Sequence, residues 1–167
     1  LYVFISSMNV FQNININNSG NDGGSVSQNV NINNANNIAT INNLNGWNSW
    51  DSICDYGRGF AATRLFQKKI CVVTKINKDS FPSLTQLSAI GKDKKVSNEI
   101  QQGHPPPTRT YTVNQKAIDN IGEYGQHIES LCKGLPTYTG QEMPVMEEGF
   151  ALCHTSSIIT ILGISFC

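Results

Sequence analysis

Residues 13–17 read Asn-Ile-Asn-Ile-Asn, a strict alternation of amide and branched apolar side chains. A period of two puts successive side chains on opposite faces of an extended chain, so this run predicts a strand with one apolar face. The pattern returns as Val26-Ser-Gln-Asn-Val-Asn-Ile32 and again as Ile38-Ala-Thr-Ile41. Gly20, Gly23 and Gly24 interrupt the first run, and Asn33 to Asn37 reads as a hairpin turn. Composition adds a constraint. Of the 20 asparagines, 16 lie in the first 50 residues, where Asp22 is the only charged side chain. Asn-rich polar tracts rarely fold alone, so these strands are expected to pair with the rest of the chain.

The remainder of the 167 residues holds all the other charges, and over the whole chain Lys plus Arg balance Asp plus Glu at 12 each. Zero net charge argues against a nucleic-acid partner, which requires a basic footprint for phosphates. No apolar run approaches the roughly 20 residues that span a bilayer. Leu1-Tyr-Val-Phe-Ile5 followed by Ser6 and Ser7 is similar to the end of a signal peptide. Residues 1–12 are therefore expected to be a signal-peptide remnant, and the protein to be secreted. Asn17-Asn-Ser19 is an N-glycosylation acceptor pattern that agrees with secretion and places the glycan on Asn17.

From Trp47 onward, Ile53–Phe60, Ala61–Phe66 and Ile70–Ile76 are short β-prone runs, the last rich in β-branched residues. Helical spacing then begins. Ser80 can cap a helix with Pro82 in its first turn, and Phe81, Leu84, Leu87 and Ile90 follow at threefold spacing up to Gly91. Residues 98–108, with Pro105 to Pro107, form a loop. Tyr111-Thr-Val113 is a short strand, after which Asn114 can cap a second helix with Ile118, Ile121, Ile128, Leu131 and Cys132 on one face. Glu142, Glu147 and Glu148 make an acidic linker. The chain closes on Ile158-Ile-Thr-Ile-Leu-Gly-Ile-Ser-Phe166, an uncharged, proline-free segment of the composition that builds cross-β zippers.

Five cysteines, Cys54, Cys71, Cys132, Cys153 and Cys167, form no Cys-x-x-Cys pair, and His104, His127 and His154 complete no zinc spacing. No metal and no cofactor are expected. The wide spacing suits two disulfides and one remaining thiol in an oxidising compartment, or else five buried thiols in a reducing one. A Cys153–Cys167 bond would bracket the C-terminal segment and close it as a hairpin. Assembling Cys54, Asp55, Cys71 and a histidine into a nucleophile set has no motif behind it, so an enzyme is not expected.

Three features occur in order: Ile53-Cys-Asp55-Tyr before Lys69-Ile-Cys71-Val-Val-Thr-Lys-Ile76; Phe81-Pro-Ser-Leu84-Thr-Gln-Leu87; and Ser130-Leu-Cys132-Lys-Gly-Leu-Pro136-Thr-Tyr138. One aspartate, two distant cysteines and a Cys-x-x-x-Pro-x-Tyr ending resemble the BRICHOS domain over residues 44–140. Gly46-Trp-Asn-Ser-Trp50, Gly59-Phe-Ala-Ala-Thr-Arg-Leu-Phe-Gln-Lys-Lys69 and Ile164-Ser-Phe-Cys167 are similar to the gastrokine family. The resemblance implies an α+β fold, a central antiparallel sheet of about five strands flanked by two helices. Residues 13–43 form a β-prone extension before it, and residues 141–167 a linker and β-prone segment after it. It also implies a Cys71–Cys132 disulfide and places the family's acidic core residue on Asp55, which is equally a candidate switch residue. One departure is Cys54, where the family pattern has tryptophan. As the odd thiol, it is a candidate for an intermolecular disulfide with a partner.

The function implied is that of a secreted gastric mucosal protein with a chaperone-like, anti-amyloid domain and a role in epithelial protection and control of proliferation. Its expected partners are β-prone or amyloidogenic peptides and its own C-terminal segment. A second reading makes it an extracellular growth-regulating ligand for an epithelial receptor. Lys92-Asp-Lys-Lys95 and the proline loop would then be the part the receptor reads.

Overall fold

The alternating runs become strands β1 (Phe11–Ser19), β2 (Ser25–Asn33) and β3 (Ile38–Leu44), paired antiparallel in succession. The computed structural model describes residues 11–19, 25–44, 46, 49–79, 81–92, 108–143, 154–158 and 162–166. The amide-rich turn between β2 and β3 closes as expected. The Asn36 N–H donates to Asn33 Oδ1 at 3.2 Å, and Asn37 takes a positive φ of 55°, which Asn tolerates better than most residues. Strands β4 (Trp50–Asp55), β5 (Phe60–Leu65) and β6 (Ile70–Lys75) continue the meander.

Then follow helix α1 (Leu84–Lys92), strand β7 (Thr108–Ala117), helix α2 (Gln126–Cys132) and strands β8 (Thr137–Met143), β9 (His154–Ile158) and β10 (Leu162–Phe166). Among the described residues, ten strands form one sheet in the order β1-β2-β3-β4-β5-β6-β8-β7-β10-β9. The fold is α+β, as expected. The sheet is wider than a five-strand core because both end segments add themselves to its edges. It is also mixed, since β8 lies parallel to β6 and β10 parallel to β7. Parallel neighbours need a crossover, and the connection from β6 to β8 carries α1, β7 and α2.

Strand alternation divides the core between the two faces. One face buries Val30, Ile32, Ile41, Trp50, Leu65 and Val72, together with Phe81 and Leu87 from around α1. The other buries Ala62, Cys71 and Val73 beneath Ile128 and Cys132 of α2. Each large apolar side chain so placed contributes about 1.5–3 kcal/mol.

Both helices differ from the sequence expectation. Helix α1 starts at Leu84 because Ser83 is its cap. The Ser83 N–H donates to Gln86 Oε1 at 2.8 Å and the Gln86 N–H to Ser83 Oγ at 3.2 Å, a reciprocal capping box. Pro82 therefore precedes the helix, and Ser80 lies outside the described residues. The second helix does not start at Asn114. Strand β7 runs on to Ala117 with an irregularity after Val113, and Asn114 Oδ1 accepts the Lys116 N–H at 3.0 Å. Gly122 and Gly125 then break the segment into a 3₁₀ turn (Ile121–Tyr124) and the seven-residue α2. Ile118, Ile121, Ile128, Leu131 and Cys132 still gather in one cluster, so their spacing reported shared burial rather than one continuous helix. Residues 1–10, the loop up to residue 107, and Glu147 and Glu148 lie outside the described residues.

Candidate functional site

Strand β7 presents one side to β8 and the other to the chain's own C-terminal segment. Gly163, Ile164, Ser165 and Phe166 of β10 align in parallel with Thr108, Arg109, Thr110 and Tyr111. Strand β9 pairs antiparallel with β10 and forms the outer edge of the sheet. Main-chain pairing is indifferent to sequence, so an aromatic anchor has to fix the register. Phe166 is 3% exposed and Tyr111 2%, with ring centroids 6.0 Å apart and tilted by 33°. Tyr111 is among the largest fully buried side chains, so β10 docks against a rigid part of the core.

Gly140 of β8 permits this close packing. A Cβ built there would meet Thr74 Cγ2 at 3.0 Å, Val72 Cγ1 at 3.1 Å and Tyr111 Cβ at 3.4 Å. Beside it lies a cavity of about 790 Å³, whose lining includes Lys75, Ile76, Asn77, Thr112, Asn114 and Gln141.

Cys71 and Cys132 are joined in a disulfide that ties β6 to the end of α2, and both residues are fully buried. Among the described residues, Cys54 is the free thiol. The expectation of an intermolecular bond through it does not suit this geometry. Cys54 is 0% exposed on the larger apolar face, and burial pushes its thiol up to about 12, a shift that a hydrogen bond with Ser52 opposes. A neutral thiol without solvent access is neither a nucleophile nor within a partner's reach. Cys153 and Cys167 lie outside the described residues.

Asp55 is a buried acid at the end of β4, on the same face as the disulfide. Its Oδ1 accepts the Arg58 N–H at 3.1 Å, and its Oδ2 lies 3.9 Å from Arg58 Nε. Its own carbonyl accepts the Gly59 N–H at 2.8 Å, so Asp55 organises the β4–β5 turn from both ends. Arg58 in turn covers Gly125, the residue before α2, whose φ of 105° excludes ordinary side chains. A Cβ on Gly125 would stand 2.6 Å from Arg58 Cδ. The acid thus positions the turn that seats α2, while neighbouring Tyr56 holds the other helix. Its hydroxyl donates to the Pro82 carbonyl at 2.7 Å, ahead of α1, and burial pushes its ionisation well above the usual tyrosine range.

Asn17 lies on β1. His127 is exposed on α2, His154 starts β9, and His104 lies outside the described residues. The candidate receptor-reading segment beyond Lys92 lies there too. Sequence reasoning missed Tyr111, Gly140, Arg58 and Gly125. Only the two glycines carried a local signal, and it did not reveal what would crowd them.

Residues 46–139 match the family model of the BRICHOS domain. Gastrokine-1 of Homo sapiens is 45% identical over 142 residues, covering 84% of this chain and 77% of that protein. Gastrokine-1 of Sus scrofa is 42% identical over 173 residues, covering 100% of this chain and 91% of that protein. Gastrokine-3 of Mus musculus is 32% identical over 155 residues, covering 87% and 76% respectively. No solved structure matches the chain.

Proposed function

This chain belongs to the gastrokine family of BRICHOS-domain proteins, and from that membership we propose that it is a secreted protein of the gastric mucosa whose domain takes up β-prone segments and keeps them from assembling. One observation carries the reading: the sheet already holds such a segment. Uncharged β10 lies along β7 as an added strand with Phe166 buried on Tyr111. An edge that accepts Gly-Ile-Ser-Phe through its backbone and one aromatic pocket can accept a similar strand from another chain. The chain's own segment then acts as a competitor that protects the edge, and itself, until a client displaces it. Epithelial protection would follow from the same action on extracellular clients.

The experiment measures fibril formation of an uncharged β-prone peptide with the full chain present at equimolar concentration. Wild type lengthens the half-time. Phe166→Asp expels the resident strand and should give the same delay with about tenfold less protein. That factor corresponds to the lower part of the roughly 1.5–3 kcal/mol that burying an aromatic side chain supplies. Equal potency of the two proteins, with β-sheet circular dichroism retained, excludes β7 as the docking edge. No delay with either protein removes the chaperone-like reading altogether.

A further inference from the structure

Among the described residues, strand β1 is the outer strand at the N-terminal edge of the sheet. Its nine residues, Phe11–Ser19, contain no charge and no proline, and all nine positions pair with β2 without a bulge. Soluble proteins usually blunt such an edge with lysine, proline, a bulge or brevity, because a regular row of unpaired N–H and C=O groups templates another chain. The opposite edge follows that rule, since β9 has only five residues.

The sequence of β1 indicates what fits it. Around Asn15 it reads alike in both directions. Ile14 mirrors Ile16, Asn13 mirrors Asn17, and Gln12 mirrors the amide of Asn18. Pairing two copies antiparallel about Asn15 sets isoleucine opposite isoleucine and amide opposite amide at each of these positions. Shifting the register by one residue sets isoleucine against asparagine throughout the repeat. The amide face is already organised for extension. Asn13 and Asn15 are exposed, they lie opposite Asn31 and Asn29 of β2, and Asn29 Nδ2 donates to Asn15 Oδ1 at 2.7 Å. Stacked amide ladders of this kind strengthen sheet-to-sheet pairing.

We propose that β1 is a self-association strand whose partner is a second copy of this chain, paired antiparallel across a two-fold axis at Asn15. The contact is isologous, so it uses up the edge in both copies and closes at two. It joins two ten-stranded sheets into one and shields the uncharged edge that each chain would otherwise expose.

Charge at position 15 tests both the contact and its register, because the two-fold axis places that residue opposite itself. Asn15 is exposed, so Asn15→Lys and Asn15→Asp leave the core untouched, and circular dichroism checks this. In sedimentation equilibrium the wild type should run at twice the chain mass. Each variant alone should fall about twofold, to the single-chain mass, because like charges face each other. An equimolar mixture of the two variants should return to the double mass. Four results would each overturn the proposal: a wild type at single-chain mass, variants that stay dimeric, a mixture that fails to reassociate, or a mass that grows without closing at two.

Discussion

The two faces of this sheet are stabilised by different means. Among the described residues, one face gathers a buried apolar cluster of 14 that runs from β2 across to β10, with no covalent bond within it. The other gathers five, and two of those five are the halves of the disulfide. Beyond α2 that second face turns polar. Asn15, Asn29, Asn42, Asp51 and Arg64 lie in one row across five strands, with Arg64 Nη2 2.6 Å from Asp51 Oδ2. The larger cluster can accommodate polar groups because they satisfy one another. Gln28 Nε2 donates to Asn43 Oδ1 at 2.9 Å, and the Ser52 hydroxyl reaches the Ala62 carbonyl at 2.9 Å. The smaller cluster lacks the apolar area for that, so it depends on a cross-link and on the Asp55–Arg58 turn to hold a helix of only seven residues in place.

The largest effect should come from breaking that cross-link. Replacing Cys71 and Cys132 together by alanine opens a loop with a sequence separation of 61. In the chain-entropy model this costs about 4 kcal/mol. Urea unfolding measures it, and limited proteolysis should place the first cut near α2. A loss below about 1 kcal/mol would mean that five apolar residues suffice, and the contrast between the faces would fail.

Next in size is Gly140→Val, which tests how tightly the larger face is packed. The added branches would press on Thr74, Val72 and Tyr111 where even a Cβ is crowded. Overpacking of this kind costs about 1–3 kcal/mol. Because Tyr111 carries Phe166, the same change should also loosen β10 and expose the C-terminal segment to protease. Gly134, whose Cβ would meet nothing within 4 Å, is the control for crowding, although its φ of 81° still favours glycine.

Much of this contrast was legible from spacing. The period of two in residues 13–17, 26–32 and 38–41 gave three strands and the face each presents, because one face of a strand must be apolar wherever it is buried. Of the runs ending at Ile76, the last two match β5 and β6, whereas Ile53–Phe60 spans the end of β4 and the turn before β5. The start of α1 is ambiguous in the sequence because serine is a good cap at either position 80 or 83, and only Gln86, three residues after Ser83, distinguishes them. Spacing alone makes the second helix too long, because Ile118, Ile121 and Ile128 share a burial site without sharing an element. The place of β10 beside β7, and parallel to it, was not legible. Strand pairing at that separation depends on which edge is free, and neighbouring residues do not encode that. The disulfide pairing came from family resemblance, as five cysteines do not specify it.

The smallest effect reports on Cys54, the thiol on the larger apolar face. Burial raises it from 9.0 to about 12. Between those values the unfolded chain loses the proton and the folded chain keeps it. The folded state then binds more protons than the unfolded state, so stability falls as pH rises. The contribution is fully present below pH 9 and declines at about 1.4 kcal/mol per pH unit above it. Tyr56 acts with the same sign but only from its ordinary value of 10.0 upward, so pH 8 to 10 isolates the cysteine. Over that range wild type should lose about 1.4 kcal/mol relative to Cys54→Ala, read as the difference in urea unfolding free energy. Lysines titrate equally in both proteins and cancel. Parallel curves would place Cys54 in contact with solvent, and with it the larger face would lose its claim to be the dry one.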